Sequence, residues 1–304
     1  MPNTLVHIGL QGILSRQLFK PAAVLWIYLG LLIPDIPWIL QRIIRMAAPA
    51  VDLLMLRSYS VVQATLFGSL ILAFTLAFFA KQQWKVFSIL GFNAAVHLVI
   101  DAGQLKYANG VHFLAPFSWE MSNWGFFAIE SIVTYILTGF GLVYLFWSWR
   151  SVKPITEQLH QFNWARISLI SLFGISYFLI PFFFIEKPVE ANNHYLKTLI
   201  QEEERIGKPI ELDRATFKTS GDDKMIKPGH SSEWFYVEGL PVETEESISI
   251  KGHFTGRNII QVSQYKVHTD WFRDMASYAG LILIFLTLLI TVFIGRPVKN
   301  PISV

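Results

Sequence analysis

With 304 residues, of which 53% are hydrophobic and 15% charged, and a net charge of +3, the chain is more apolar than a soluble globular protein, where about 25% of residues are charged. That balance belongs to the membrane class. The chain has no cysteine, which excludes disulfides, thiolate catalysis, iron–sulfur clusters and cysteine-based zinc sites; any metal must rest on His and carboxylates.

At the N-terminus no Lys or Arg precedes the first apolar stretch, and His7 and Gln11 interrupt it. A cleavable signal reads differently, so this segment is expected to be retained. Thr4–Leu18 predicts a short amphiphilic helix, half of a hairpin, with Gly9 and Gly12 on a surface that a neighbour can approach closely. A spanning helix needs about 20 mostly apolar residues. Five stretches meet this: Ala22 to Leu40, Val61 to Ala80, Val86 to Ile100 completed by Asp101 to Leu105, Phe126 to Trp149, and Ile167 to Ile185. A sixth, Ser277 to Ile294, is closed by Gly295, Arg296 and Pro297.

Residues 186–276 differ in composition. Glu202, Glu203, Glu204 and Arg205 suggest a short polar helix, after which IELDRATFK, EWFYVEGL, SISIKGHF and NIIQVSQYKVH alternate apolar and polar residues as half-buried strands do. About five short strands imply a small β-barrel or sandwich, with an oligonucleotide/oligosaccharide-binding (OB) fold as one form it can take. The expected fold is thus an α-helical polytopic membrane protein with a small extramembrane β-domain. Its parts are a membrane domain (1–185), a β-rich domain (186–276) and a C-terminal spanning helix and tail (277–304). His194, His230, His253 and His268 show no ligand spacing, and most are expected to be solvated.

If six spans alternate, Arg16, Lys20, Lys81, Lys85, Arg150, Lys153, Arg166, Arg296 and Lys299 fall on one side. The other receives Arg42, Arg45, Arg57 and Lys106 in its short loops. The first side is then cytoplasmic. This predicts a multi-pass protein of the bacterial cytoplasmic (inner) membrane with its β-domain outside, in the periplasm of a Gram-negative cell. Membrane lipids are the expected surroundings, and the outer domain is placed to meet a protein or lipid-linked partner. The pI near 9.0 does not imply nucleic acid, because the basic residues are spread over interhelical loops and form no tract.

Ionisable groups inside a bilayer are costly, so each needs a reason. Five stand in or beside the apolar helices: His7, Asp35, His97, Asp101 and Glu130. With a rise of about 1.5 Å per residue and a hairpin turn at Phe19 to Pro21, His7 and Asp35 both lie roughly 20 Å from the turn. His97 and Asp101 lie about 18 and 24 Å above the start of their helix. Glu130 follows the outer loop by a turn or so of the fourth span. All five therefore converge on the outer leaflet from four helices. His97 and Asp101, four apart, share a helix face, so the carboxylate can co-ligate a metal or fix the imidazole tautomer. Pro34 and Pro37 bracket Asp35 and free backbone groups there, which a membrane tolerates only beside protein or a water-filled cavity. The loop QLKYANGVHFLAPFSWE carries His112 past an Asn-Gly turn signal and can cap the cavity. Taken singly, each residue has a plain structural reading: an interfacial His, a turn Asp, a first-turn Glu answering the helix dipole. Their common height is what suggests a shared polar or metal site.

These motifs resemble a family. His7, IPDIP at Pro34-Asp35, and HLVIDAGQ followed by GVHFLAP are similar, over about the first 120 residues, to the predicted membrane-bound metal-dependent hydrolases of the YdjM-like group. That family carries an early His, Leu-Pro-Asp-x-Asp, His-Arg-Gly-x-Thr-His and His-x-x-x-Asp. This chain has Pro37 where the second Asp would stand, and Leu56 and Val61 where the two histidines would stand. The resemblance implies His7, Asp35, His97 and Asp101 as ligands of one divalent ion; zinc is the expected metal, and, apart from the resemblance, His112, as a proton donor to a leaving group, or Glu130 is the catalytic group expected to handle the proton. The expected function is metal-dependent hydrolysis of a membrane-associated ester or phosphodiester at the outer leaflet. The competing expectation is a non-enzymatic membrane scaffold or assembly factor, in which the cluster is a hydrogen-bond network and the outer β-domain binds a partner.

Overall fold

The computed structural model describes residues 3–48, 50–154, 158–161, 163–192, 194–221, 223–242, 247–268 and 271–293; the expected closing signal at Gly295 to Pro297, and Arg296 and Lys299, lie outside them. Eleven α-helices are described, six of them bearing on the site: α1 (Thr4–Leu18), α2 (Val24–Leu32), α3 (Ile36–Ala47), α4 (Leu53–Gln63), α5 (Leu66–Ala77) and α6 (Gln83–Gly103). They continue with α7 (Ile132–Trp149), α8 (Trp164–Phe184), the single turns α9 (Lys187–Ala191) and α10 (Leu196–Ile200), and α11 (Trp271–Phe293). Five segments are long and apolar enough to cross a membrane, or six if the bent pair α4 and α5 forms one.

The first segment, Val24–Ala47, runs past the expected end at Leu40. It is not one smooth helix: α2 gives way to a 3-10 turn at Ile33–Asp35 before α3 resumes. Pro34 and Pro37 supply no N–H for α-helical pairing, and the pitch tightens where they fall. The expected straight span Val61 to Ala80 is replaced by α4 and α5, which meet at 65°. Thr65 explains the break, because its hydroxyl accepts from Gly68 N (3.1 Å) and donates to Val62 O (2.8 Å), capping α5 where α4 ends. The fourth span begins at Ile132 rather than Phe126, with Ser131 as its N-cap. Glu130 consequently precedes the helix and is not in its first turn.

α1 is buried along most of its length and packs on α2, α6, α7 and α11. Its close approach to α7 uses glycine on both helices: a Cβ at Gly141 would sit 1.9 Å from Leu5 O, and one at Gly9 2.8 Å from Gly141 N. α1 and α2 form the expected hairpin, which brings His7 level with the α2 break.

The separate strand domain contains β1 (Pro209–Ser220), β2 (Asp223–Lys227), β3 (Phe235–Glu238), β4 (Ser247–Gly256) and β5 (Ile259–His268). Their pairing order is β1-β2-β3-β5-β4, and β4 returns to β1, so the ladder closes; β3 and β5 run parallel and the other pairs antiparallel. Alternating residues such as Ile210, Leu212, Phe217, Phe235, Ile250 and Phe254 fill its interior. Arg205 enters this core with its guanidinium 5.2 Å from the Phe235 ring centroid and bonded to the Leu199 carbonyl and Glu233. A register shift in β1 between Leu212 and Ala215 marks a bulge, with Arg214 at φ 47°. The bulge re-aims Asp213 and Arg214, which reach the helical half of the chain.

Candidate metal centre

Three expected ligands come together as buried groups. His7 Nε2 lies 3.7 Å from Asp101 Oδ1, and His97 Nε2 3.9 Å from Asp101 Oδ2. The two imidazoles stack with centroids 3.8 Å apart. One ligand atom from each residue falls within 4.8 Å of the other two, a spacing that can hold a metal ion. Donors about 2.0–2.2 Å from one tetrahedral ion are about 3.3–3.6 Å apart, so a small inward movement would suffice. Asp35 is placed differently. Its Oδ1 is 3.6 Å from His97 Nε2, its side chain keeps 17% exposure where the others keep 0–4%, and it approaches the group through His97 alone. It stands on the open side of the centre.

The chemistry of the donor set fits a cation. His7 Nε2, His97 Nε2, Asp101 Oδ1 and Asp35 Oδ1 are buried and have no hydrogen-bond partner. Each such orphan costs about 1–3 kcal/mol when left unsatisfied, and here the orphans face one another. The remaining atoms of the two imidazoles are held. His97 Nδ1–H donates to Leu31 O (2.7 Å), a carbonyl in the last turn of α2 before the Pro34 break, which fixes the tautomer with a bare Nε2. Gln11 Nε2 lies 2.9 Å from His7 Nδ1 while Gln11 Oε1 is buried without a partner; with that amide turned end for end, Oε1 accepts from His7 Nδ1–H and leaves His7 Nε2 free. Supporting contacts of this kind orient ligand imidazoles. Deeper in the same helices, Asn93 donates to Ser15 Oγ (2.8 Å). Lys106 adds a cation 3.5 Å from Asp101 Oδ2.

Neither expected proton-handling residue joins this group. Among the described residues, no hydrogen bond or ion pair links His112 or Glu130 to it. His112 Nδ1–H donates to Trp119 O (2.8 Å), and burial holds the imidazole below its ordinary value. Its Nε2 is thus an acceptor, not the proton donor expected of it. Glu130 turns toward the strand domain and is bound by Arg214 Nη2 (2.9 Å), Lys266 Nζ (2.5 Å) and His268 Nδ1 (2.9 Å). Against the opposing effect of partial burial, the hydrogen bonds from His268 and Lys266 hold its carboxyl at about 2. His268 is buried and its Nε2 pairs with Ser249 Oγ (2.8 Å). His230 is packed against Tyr195 and Arg57, and burial together with the Arg57 charge holds it well below its ordinary value. These two histidines are interface residues, contrary to the expectation that most in this domain are solvated.

Residue type alone did not flag Gln11, Lys106 or Arg57. Gln11 had a signal, since it lies four residues from His7 and shares its face. Lys106 had none, and Arg57 had only its alignment with the Arg of the His-Arg-Gly-x-Thr-His element. Arg57 is buried between the Trp38 and Tyr195 rings (5.3 and 5.6 Å) and bonded to Asn109, which in turn donates to Asp213 Oδ2. It fastens the helices to the strand domain.

No family model, no curated protein and no solved structure matches the chain.

Proposed function

We propose that the protein is a polytopic membrane hydrolase whose centre is formed by His7, His97 and Asp101, with Asp35 at its open side. The membrane placement is supported by the five apolar segments and by outward apolar side chains such as Ile132, Val143, Phe182 and Phe183, each at least 63% exposed, a surface suited to lipid. The basic loops then set the helix ends near Arg16 and Lys85 in the cytoplasm and the strand domain outside. The strand order and the parallel β3–β5 pair support reading that domain as a small OB-like barrel.

The observation that carries the hydrolase reading is the convergence of unpartnered, buried Nε2 and carboxylate oxygens. Three His or carboxylate ligands with an open position is the usual pattern of a catalytic zinc site. The resemblance to the YdjM-like membrane hydrolases points the same way. His7, His97 and Asp101 would hold a divalent cation, zinc by donor type, which when bound would supply Lewis acidity for water activation. The chain holds the imidazoles in one tautomer through Leu31 O and Gln11, and shields the centre behind α1, α2 and α6. Asp35, the less deeply buried of the two carboxylates, is placed to take the proton. Lys106 can offset charge developing on the substrate. The substrate class is a membrane-associated ester or phosphodiester at the outer leaflet.

The test is turnover of a chromogenic phosphodiester and a chromogenic ester by the full chain in nanodiscs. The reading expects activity that is lost with a chelator, restored by zinc or manganese, and absent in Asp101→Asn. Metal-loaded protein that turns over neither substrate, nor any lipid ester, would overturn it.

A second reading, a scaffold in which the cluster only fixes helix packing, is favoured by one observation. The Lys106–Asp101 pair, with a protonated His97 between Asp35 and Asp101, would balance two carboxylates with two cations. In that case substitution at His97 lowers stability and removes no metal.

A further inference from the structure

A second polar region lies at the opposite ends of the helices that carry the metal centre. His7, Asp35 and His97 are separated from Arg16, Trp26 and Val86 by nine to eleven residues along α1, α2–α3 and α6, or about 13–17 Å of helix rise. Here the C-terminal end of α1, the start of α2, the start of α6 and the end of α7 enclose a cleft of about 640 Å³. Ligand pockets run to about 300–1,000 Å³, so the cleft is large enough for a small molecule or headgroup. Five cations line it, Arg16, Lys20, Lys81, Lys85 and Lys153, and no carboxylate does so among the described residues. Among those residues, no ion pair engages Arg16, Lys20, Lys85 or Lys153.

Loop basicity alone does not account for this. Positive residues at a cytoplasmic face normally fan out into solvent or toward headgroups, but Arg16 is fixed in place. Its Nε donates to Tyr144 OH (3.0 Å) and its Nη1 to Ser151 Oγ (3.1 Å), while its guanidinium carbon lies 4.7 Å from the Trp147 ring centroid. Its Nη2 is buried and has no hydrogen-bond partner. A guanidinium held by two neutral hydroxyls, lining the cleft and with no acid beside it among the described residues, presents a fixed positive charge to an oxyanion. Helical packing also protects the site's shape, since Gly12 lies directly against the Tyr144 ring, 2.1 Å from where a Cβ would stand.

We infer that this cleft is a binding site for a multiply charged phosphate group, a phosphate monoester or a pyrophosphate, on the side of the protein opposite the metal centre. Arg16, Lys20, Lys85 and Lys153 alone exceed what a singly charged phosphodiester would balance, and the volume exceeds a bare phosphate. The same chemistry is carried by a lipid with a terminal phosphate and by a water-soluble compound. Trp26 and Trp147, both on the cleft wall, provide an optical signal for either.

The test follows tryptophan fluorescence and melting temperature of the full chain in phosphatidylcholine nanodiscs. Inorganic pyrophosphate is titrated in one arm, and phosphatidic acid is added to the nanodisc in the other. Saturable binding of pyrophosphate supports the site with a water-soluble ligand. A response to phosphatidic acid alone supports the site with a lipid ligand. Arg16→Gln and, separately, Lys85→Gln should each weaken the response about tenfold, the effect of losing one charge-assisted hydrogen bond. Lys85→Gln removes no packing contact of the Arg16 fork and covers the event that Arg16→Gln fails to fold. The titration is repeated in His97→Ala; a response that persists there does not come from chelation at the metal centre and stands whether or not that centre is catalytic. A response abolished in His97→Ala, one unaffected by both charge substitutions, or none in either arm would overturn the inference.

Discussion

Among the described residues two clusters pair histidine with carboxylate, and they are built on opposite principles. In the Glu130 cluster the lone pairs are spent: one carboxylate oxygen takes Arg214 and His268, the other takes Lys266, and the far nitrogen of His268 meets Ser249. In the His7–His97–Asp101 cluster the outward-facing nitrogens are bonded and the inward ones are bare. The first arrangement is a fastening between the helical and strand parts. The second leaves room in its bonding for one more partner. Buried polar atoms are normally satisfied, so the place where several orphans face each other is where a ligand belongs.

Substitutions should separate the two clusters, most strongly at the bare one. Asp101→Asn is expected to abolish hydrolysis of the chromogenic substrates, whereas Glu130→Gln leaves turnover within a few-fold of the parent. Equal loss in both would erase the distinction. Next in size, Gln11→Leu should weaken metal affinity about 10–100-fold, the usual cost of removing a group that orients a ligand; competition with a chromophoric chelator measures it. Lys106→Met acts with the opposite sign. Removing a cation 3.5 Å from Asp101 lessens repulsion of an incoming ion, so affinity should rise several-fold, while a pure ion-pair network would instead lose melting temperature.

The smallest effect is on pH dependence at the fastening. Arg214, Lys266 and His268 face Glu130, whose folded value is depressed from 4.5 to about 2. A depressed carboxyl stabilises the fold fully above its unfolded value and loses that contribution as pH falls toward the folded one. Melting temperature in detergent should therefore fall as pH drops from about 4.5 toward 2, and Glu130→Gln should lack that component. An identical acid profile in both proteins would remove Glu130 from the fastening.

Much of this was legible in the sequence, for identifiable reasons. Apolar length marked the spanning-type segments, and helical rise put His7, Asp35, His97 and Asp101 at one level. The same arithmetic put Glu130 there too and erred, because rise gives height and says nothing of direction; Glu130 also precedes the Ser131 cap and so belongs to the loop. The Thr65 break was hidden because threonine is equally at home inside an apolar run, and only its bonds to Val62 and Gly68 reveal a cap. Strand alternation was visible at IELDRATFK and its neighbours, but the short β2 and the closure of β4 onto β1 depend on contacts between distant segments. The β1 bulge that aims Arg214 at Glu130 has the same origin. The Pro34 and Pro37 pair was readable as a helix break, yet its consequence, Leu31 O turning to His97, required the neighbouring helix.

The account rests on a metal ion at the bare cluster, and elemental analysis of the purified full chain tests that most directly. Protein loaded with zinc and freed of excess should retain one ion per chain, His97→Ala none while still melting cooperatively, and Glu130→Gln the full amount. Wild-type protein that retains no divalent metal after loading, together with a large loss of melting temperature in His97→Ala, would contradict the account and leave the cluster as a packing device.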